Sequence, residues 1–200
     1  MKKILVAICF IVFMGICGAH AQKVVWHDDF ETSKGWSEYE EKDKGISAVI
    51  KDGVMQIKGK DEDSVISKCK TNLDGNKNFT IKCDVTVKNG LKPDNFIGLI
   101  FDYFDSKNYK VFYVEKGYVY FKQYKEGNCV RYERDNIKNY GKKDLKQLTF
   151  ELQRKGRNVM FLVNDEETID MDEIEVHSNR IALMVSGDQL VFFDNVEILQ

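Results

Sequence analysis

Hydrophobic and polar residues alternate with a period of two through nearly the whole chain after residue 22. Gly, Asn or Asp interrupts the alternation every few residues. This pattern indicates short β-strands joined by turns, because successive side chains of a strand point to opposite faces. It predicts fourteen strands, at residues 23–30, 46–53, 53–59, 64–70, 79–87, 96–103, 109–116, 117–124, 128–134, 147–156, 158–166, 167–171, 180–187 and 190–199.

Many short strands separated by turns are typical of two antiparallel sheets packed face to face. The sequence therefore predicts an all-β protein, an antiparallel two-sheet β-sandwich of jelly-roll type. The single proline, Pro93, is expected in a loop because it has no N–H to donate to a sheet. Only residues 135–147 are predicted to hold a helical turn. No linker or repeat divides the chain, so we expect one domain over residues 22–200.

The first 21 residues have a different pattern. Two lysines precede an apolar run that ends at about Ile16, and Ala-His-Ala follows at residues 19–21. This predicts a secretory signal peptide cleaved before Gln22, and a mature protein that is secreted, periplasmic or part of the cell envelope. A membrane span is one alternative, although the run of about thirteen residues is shorter than the roughly twenty that a span needs. A lipoprotein anchored through Cys17 is the other, with bulky Ile16 before the cysteine counting against it.

Composition narrows the classes of partner. The formal net charge is −2, and removal of the two signal-peptide lysines takes it to −4. Proteins that bind nucleic acid carry a basic field, so no nucleic-acid partner is predicted. With 43% apolar and 12% aromatic residues, the chain can bury a core without a structural metal, and no transmembrane segment is predicted after the signal.

Three cysteines follow the signal peptide: Cys69, Cys83 and Cys129. The first two lie at equal distances from Asn76 on two predicted strands. If these strands form a hairpin centred at Asn76, the two cysteines face each other and a disulfide becomes feasible. The alternative is that all three are small buried hydrophobic residues, which suits Cys129 best.

Three segments carry a resemblance to a known family. Residues 26–36 (WHDDFETSKGW) have an acidic-Phe pair followed by Gly-Trp, residues 98–117 contain Phe-x-x-x-Asp-x-x-Asn-Tyr, and residues 180–199 close with Phe-Asp-Asn-hydrophobic-x-hydrophobic. Together they resemble the concanavalin A-like lectin/glucanase superfamily. More narrowly, they resemble the laminin-G-like and 3-keto-disaccharide hydrolase (DUF1080) domains of secreted bacterial proteins. Over nearly the whole mature chain, the resemblance implies a concanavalin A-like jelly roll and the binding or processing of polysaccharides.

Residues 170–175 come nearest to a catalytic motif. Laminarinase-type glucanases of the superfamily use a Glu-x-Asp-x-Glu strand, because glycosidases need two carboxyl groups flanking one bond. Here Asp170 stands in place of the first Glu and the spacing breaks after Asp172, with Glu173 and Glu175 in the other register. The favoured interpretation is a strand, an Asn-Asp turn, a second short strand and a surface loop.

Other catalytic chemistry has less support. The two histidines after the signal, His27 and His177, have no nucleophile motif around them. No His or Cys cluster has zinc spacing, and no glycine-rich phosphate loop occurs. We predict no catalytic residues.

Calcium is the one metal that the sequence suggests. Jelly rolls often bring the first and last strands together, and these carry Asp28-Asp29 and Asp194-Asn195. Oxygen ligands from both strands, Asp29 and Asp194 in particular, would suit a structural Ca²⁺. The alternative is that the acid before Phe30 only caps a turn.

The aromatic residues of 98–124 divide into two sets by parity. Leu99, Phe101 and Tyr103 are predicted to share one face of their strand. In the next two strands the Phe and Val side chains are predicted to point into the core: Phe112, Val114, Val119 and Phe121. Five tyrosines are predicted on the opposite face as ligand-binding residues: Tyr109, Tyr113, Tyr118, Tyr120 and Tyr124.

Exposed tyrosines can stack on sugar rings while their hydroxyls meet water or a partner. Cross-strand aromatic pairs that only stabilise an outer sheet surface are the alternative. The sequence thus predicts a non-catalytic carbohydrate-binding module or accessory protein that binds a polysaccharide or oligosaccharide. A glycoside hydrolase of the same superfamily and a structural or adhesive envelope protein remain as alternatives.

Overall fold

A computed structural model describes residues 22–137 and 145–200. Within these ranges the protein is all-β and contains no helix, and therefore none that could span a membrane. The strands are β1 (Val24–Asp28), β2 (Tyr39–Glu41), β3 (Ile46–Lys51), β4 (Val54–Lys58), β5 (Ser64–Lys70), β6 (Phe79–Val87), β7 (Phe96–Asp105), β8 (Asn108–Glu115), β9 (Tyr118–Lys125), β10 (Asn128–Asn136), β11 (Gln147–Lys155), β12 (Asn158–Val163), β13 (Glu166–Met171), β14 (Arg180–Ser186) and β15 (Leu190–Leu199).

The strands of the described ranges form two sheets, in which every pairing is antiparallel. The first sheet has nine strands in the order β13-β12-β11-β6-β15-β4-β3-β2, with β1 also paired to β15. The second sheet has six strands in the order β10-β9-β8-β7-β14-β5. The prediction of an antiparallel two-sheet sandwich is confirmed.

Each of the fourteen predicted segments coincides largely with one strand of the structure, with ends that differ by up to three residues. The sequence missed β2, a strand of three residues, which is too short to show an alternation. Pro93 lies in the turn before β7, as predicted. Most of the segment predicted to hold a helical turn, residues 138–144, lies outside the described residues.

The core fills the space between the sheets. Phe112, Val114, Val119 and Phe121 point into it and are fully buried, which confirms the parity prediction for β8 and β9. The Phe112 ring stacks on Phe161 of the first sheet, with 4.8 Å between ring centroids. This stack joins the two sheets across the core.

The first and last described strands are neighbours, as predicted. In β15, residues 190–193 pair with β4, and residues 196–199 pair with β1 along the same edge. A bulge after Asp194 separates the two stretches. The opposite edge of β15 pairs with β6, so β15 lies in the middle of the first sheet.

The predicted hairpin around Asn76 is wrong. Cys69 lies on β5 of the second sheet, whereas Cys83 lies on β6 of the first sheet. Both are buried and free, so the structure contains no disulfide between them. Cys129, expected to be buried, is exposed on β10. The chain crosses from one sheet to the other between β5 and β6, and strand pattern alone does not distinguish such a crossover from a hairpin.

Thiol titration of the chain from residue 22 is expected to count one reactive cysteine in the folded protein and three after unfolding. Cys129 is accessible, whereas Cys69 and Cys83 are covered by the core. Burial also raises the pKa of the Cys69 thiol to about 11, which further slows its reaction, because the thiolate is the nucleophile. Cys129→Ser should abolish the reaction of the folded protein. A single thiol in the unfolded, unreduced protein would contradict the structure and indicate the disulfide.

Candidate functional site

The outer face of the second sheet, pointing away from the first sheet, carries a layer of aromatic side chains that we call the aromatic face. The five predicted tyrosines all lie there, because their strand positions alternate with the buried Phe and Val residues. Beneath and between them lies a second, smaller apolar cluster whose buried members are Ile100, Tyr103, Val111, Tyr113, Ala182 and Met184. Whether the tyrosines bind a ligand is a prediction that the structure leaves for experiment.

The rings of the aromatic face form two rows that run across the strands. In the first row, Phe96 contacts Tyr113, which stacks on Tyr120 with 4.7 Å between centroids and an interplanar angle of 5°, and Tyr120 contacts Tyr132 at 6.1 Å. This row therefore crosses β7, β8, β9 and β10.

The second row is shorter. Tyr103 contacts Tyr109, which stacks on Tyr124 with 4.8 Å between centroids. Along β8 the rows are four residues apart, about 13 Å in an extended strand. An extended chain lying along the strands can therefore contact both rows.

Exposure increases along the first row from Tyr113 on β8 to Tyr132 on the edge strand β10. Tyr113 is only 5% exposed, and Tyr132 is 49% exposed on β10. Tyr118, Tyr120 and Tyr124 of β9 are half-buried. Tyr113 therefore supports the layer from within, whereas β9 and β10 offer the accessible rings.

Two of these rings lie where parity did not place them. Tyr103 belongs to the aromatic face and not to the core with Leu99 and Phe101, because Asp102 has a φ of 52° in a bulge that shifts the alternation of β7. Tyr132 was not predicted as a site residue at all. A second bulge, after Cys129, decides on which side of the sheet Tyr132 lies. The sequence does not indicate this bulge.

Two cations lie among the rings. Lys122 Nζ is 5.1 Å from the ring centroid of Tyr113 and 5.9 Å from that of Tyr132. The Arg134 guanidinium lies 4.7 Å from the ring centroid of Tyr118. Such cation–π contacts stabilise each cation in its position above a ring, and the N–H groups of the cations can still bind an anion.

Raising the pH from about 10 to 12 is expected to destabilise the folded protein. Burial raises the pKa of Tyr109 to about 12, and burial also raises the pKa of Tyr113 above its ordinary value near 10. The unfolded chain loses these protons near pH 10 while the folded protein keeps them, so the free energy of unfolding falls as the pH rises through this range. Urea unfolding at a series of pH values measures the fall. Tyr109→Phe should reduce it, and an unchanged slope would contradict the assignment.

A concave feature at one end of the sandwich, which we call the end cleft, has a volume of about 810 Å³. It lies where the β7–β8 and β9–β10 turns meet the loop of residues 172–179. Asp102 holds this loop, since its Oδ1 accepts hydrogen bonds from the N–H groups of residues 177 and 178, both at 2.7 Å. From β10, Arg131 Nη1 donates to the carbonyl oxygen of Asp172 at 2.8 Å.

A buried ion pair lines the end cleft. Asp102 Oδ2 is bonded to Lys110 Nζ, and both residues are buried. Lys110 points to the inner side of β8, two residues before Phe112 on the same face. It lies at the end of the sandwich, where polar residues replace the apolar core.

The end cleft also contains the acidic loop considered for catalysis. Arg157 Nη2 lies 2.8 Å from Glu173 Oε2 and 3.2 Å from Glu175 Oε1, and His177 Nε2 lies 3.3 Å from Glu175 Oε2. Both glutamates are more than half exposed. Both glutamates thus form ion pairs with one exposed guanidinium.

The predicted course of residues 164–175 is confirmed. Asn164 and Asp165 form a turn with φ of 54° and 62° between β12 and β13, and a loop follows Met171. Asp170 lies on β13 beside Met160, on the outer face of the first sheet and apart from the end cleft.

Asp28 caps the turn that follows β1. This buried carboxylate accepts hydrogen bonds from Phe30 N at 2.9 Å and from Trp36 Nε1 at 3.0 Å. Phe30 has a φ of 57°, and its ring packs on Trp36. The acidic-Phe and Gly-Trp elements of the sequence thus build a capped turn, which was the alternative to calcium binding.

The two predicted calcium ligands have separate hydrogen-bond partners. Asp29 Oδ1 accepts from Glu31 N at 3.3 Å. Asp194 Oδ1 accepts from Asn195 N at 2.7 Å. Among the described residues, no group of three or more His, Cys, Asp or Glu side chains could hold a metal ion. Structural calcium stays a prediction that melting with and without chelator tests.

No protein-family model matches this chain, and no curated protein matches it either. Solved structures do match. A carbohydrate-binding module, CBM66, of Bacillus subtilis is 19% identical over 83% of this chain and 96% of its own, with a TM-score of 0.56. A Bacillus subtilis protein of unknown function with a galectin-like fold is 9% identical over 90% and 98%, with a TM-score of 0.61.

The catalytic domain of an endo-1,3-β-glucanase (laminarinase) from Thermotoga petrophila is 11% identical over 90% of this chain and 98% of its own, with a TM-score of 0.59. At these identities the likeness shows the fold alone, an antiparallel sandwich of the concanavalin A-like type. The narrower resemblance to laminin-G-like and 3-keto-disaccharide hydrolase domains stays a prediction.

Proposed function

We propose that the protein is a secreted, non-catalytic glycan-binding protein whose ligand lies across the aromatic face. The observation that carries this proposal is the pair of cross-strand ring rows, with accessible rings on β9 and β10 beside polar groups. The apolar C–H faces of sugar rings can stack on tyrosine rings while lysine, arginine and tyrosine hydroxyl groups bind the sugar hydroxyls.

The comparisons support the same class of function. One structural neighbour is a carbohydrate-binding module and another is the catalytic domain of a glucanase. A shared fold leaves the function open, so the proposal depends on the site. The signal-peptide pattern of the first 21 residues supports secretion, with the periplasm or cell envelope as destination.

Affinity electrophoresis in gels that contain soluble polysaccharides tests the proposal. Tyr132→Ala and Tyr120→Ala should each weaken binding by roughly tenfold, because each removes an aromatic stacking contact. Phe192→Ala is the matched control, since Phe192 is a half-buried aromatic residue on a strand of the other sheet. Tyr113→Ala is a poor probe, because Tyr113 is buried and its loss disturbs the layer. No retardation by any of a broad set of polysaccharides would overturn the proposal.

Glycoside hydrolysis in the end cleft is a second candidate function. It is favoured by Glu173 and Glu175, which both contact the same Arg157 nitrogen in a concave site. Release of reducing sugar that is lost on Glu175→Gln, with the fold intact, would establish it. We rank it second because both carboxylates are exposed and paired to a guanidinium.

A further inference from the structure

The aromatic face is positively charged on a chain whose net charge is negative. Its strand positions carry five cationic side chains: Lys68, Lys70, Lys122, Arg134 and Arg180. Glu115 and Asp105 are the carboxylates at its margin. Glu115 lies 4.0 Å from Lys116, and Asp105 is bonded to the Asn108 side chain within its own turn.

The outer face of the first sheet has the opposite character. Its register places seven carboxylates there (Glu40, Asp84, Glu151, Glu167, Asp170, Asp194 and Glu197) against four lysines (Lys51, Lys58, Lys82 and Lys155), and Lys82 pairs with Glu151 at 3.0 Å. The two outer faces therefore differ in the sign of their formal charge, which the net charge of −2 for the whole chain does not reveal. Whole-chain charge, which argued against a nucleic-acid partner, does not describe the surface that a ligand would meet.

Lys122 and Arg134 are the two cations closest to the accessible rings. In the register, Lys122 lies opposite Tyr132, and Arg134 lies opposite Tyr120. Among the described residues neither cation has a carboxylate partner; both contact the rings, and Arg134 also forms a hydrogen bond with the Tyr120 side chain. An arginine so placed can bind a carboxylate or sulfate through two N–H groups at once.

We propose that the ligand of the aromatic face is an acidic polysaccharide. Its sugar rings stack on the accessible tyrosines while its carboxylate or sulfate groups pair with Lys122 and Arg134. This inference rests on the proposed glycan-binding function and names the chemical class of the glycan.

Matched polymers separate charge from sugar identity. Polygalacturonate and its methyl ester differ in the carboxylate, and dextran sulfate and dextran differ in the sulfate. We expect the folded chain from residue 22 to bind at least one acidic member at least tenfold more tightly than its neutral partner, and salt to weaken that binding. The pair that shows the difference identifies which anionic group is recognised.

Charge-removing variants locate the site. Lys122→Gln and Arg134→Gln should each weaken binding of the acidic polymer by about tenfold, the loss of one charge-assisted hydrogen bond. Lys58→Gln makes the same charge change on an exposed position of the first sheet and should leave binding unchanged. Thermal melting of all three variants checks that the fold is retained.

Four outcomes would overturn the inference. Equal binding of acidic and neutral partners would leave the proposed function standing and remove only the acidic class. If Lys58→Gln weakened binding as much as Lys122→Gln and Arg134→Gln do, the polymer would be attracted by the overall charge of the protein and not by a site on the aromatic face. Equally tight binding of DNA or polyglutamate would indicate a general polyanion surface. The absence of binding to every glycan, acidic or neutral, would remove the proposed function as well.

Discussion

Asp102→Ala is expected to lower the free energy of unfolding by about 3–5 kcal/mol, the usual cost of breaking a buried ion pair from one side. The Asp102 carboxylate is 2% exposed and has both oxygens bonded. One oxygen pairs with Lys110, and the other accepts the N–H groups of residues 177 and 178. Its removal leaves a buried ammonium unpaired and releases the loop of residues 172–179.

Denaturant unfolding monitored by tryptophan fluorescence measures this loss. Asp170→Ala, an exposed aspartate in the other sheet, should change the free energy of unfolding by less than about 0.5 kcal/mol. The double variant Asp102→Asn with Lys110→Met should lose less than Asp102→Ala, because it leaves no buried charge. A loss below about 1 kcal/mol for Asp102→Ala would mean that water reaches the pair and that the loop needs no anchor.

Phe112→Ala is expected to cost about 3–5 kcal/mol, the range for removing a fully buried phenylalanine. The Phe112 ring stacks on Phe161 across the two sheets and lies 5.0 Å from Phe121 and 5.7 Å from Phe101, centroid to centroid. Close-packed neighbours cannot collapse into the space that the ring leaves, so lost contacts and a cavity add to the lost burial.

The same unfolding assay tests Phe112→Ala, with Phe104→Ala as its control. Phe104 is an aromatic residue of the neighbouring strand β7 that is 49% exposed, and its removal should cost less than about 1 kcal/mol. Phe112→Leu should lose less than Phe112→Ala because it refills part of the space. Similar losses for Phe104→Ala and Phe112→Ala would contradict a core centred on this stack.

The strands and their faces could be predicted from sequence because alternation is a local property. In β8 and β9, the parity that buries Phe112 and Phe121 also places Tyr113 and Tyr120 outside, and no bulge interrupts it. Sheet membership is not local. Consecutive strands β5 and β6 belong to different sheets, so symmetry around Asn76 could not pair Cys69 with Cys83.

The remainder of the site depends on β-bulges that could not be predicted from the sequence. The bulge at Asp102 turns Tyr103 outward, and the bulge after Cys129 sets the face of Tyr132. Each extra residue reverses every later side chain of its strand. The end cleft was also missed, because it is assembled from two turns and a loop that are far apart in sequence.

The central position of β15 has a consequence for the order of folding. Without residues 190–199 the first sheet falls into three parts: β13-β12-β11-β6, β4-β3-β2 and an isolated β1. This sheet therefore cannot close before those residues have left the ribosome. Since contacts between distant parts of a chain form slowly, we expect the first sheet to close late in folding. For the secretion that we propose, such late closure would keep the chain unfolded while it crosses a narrow channel.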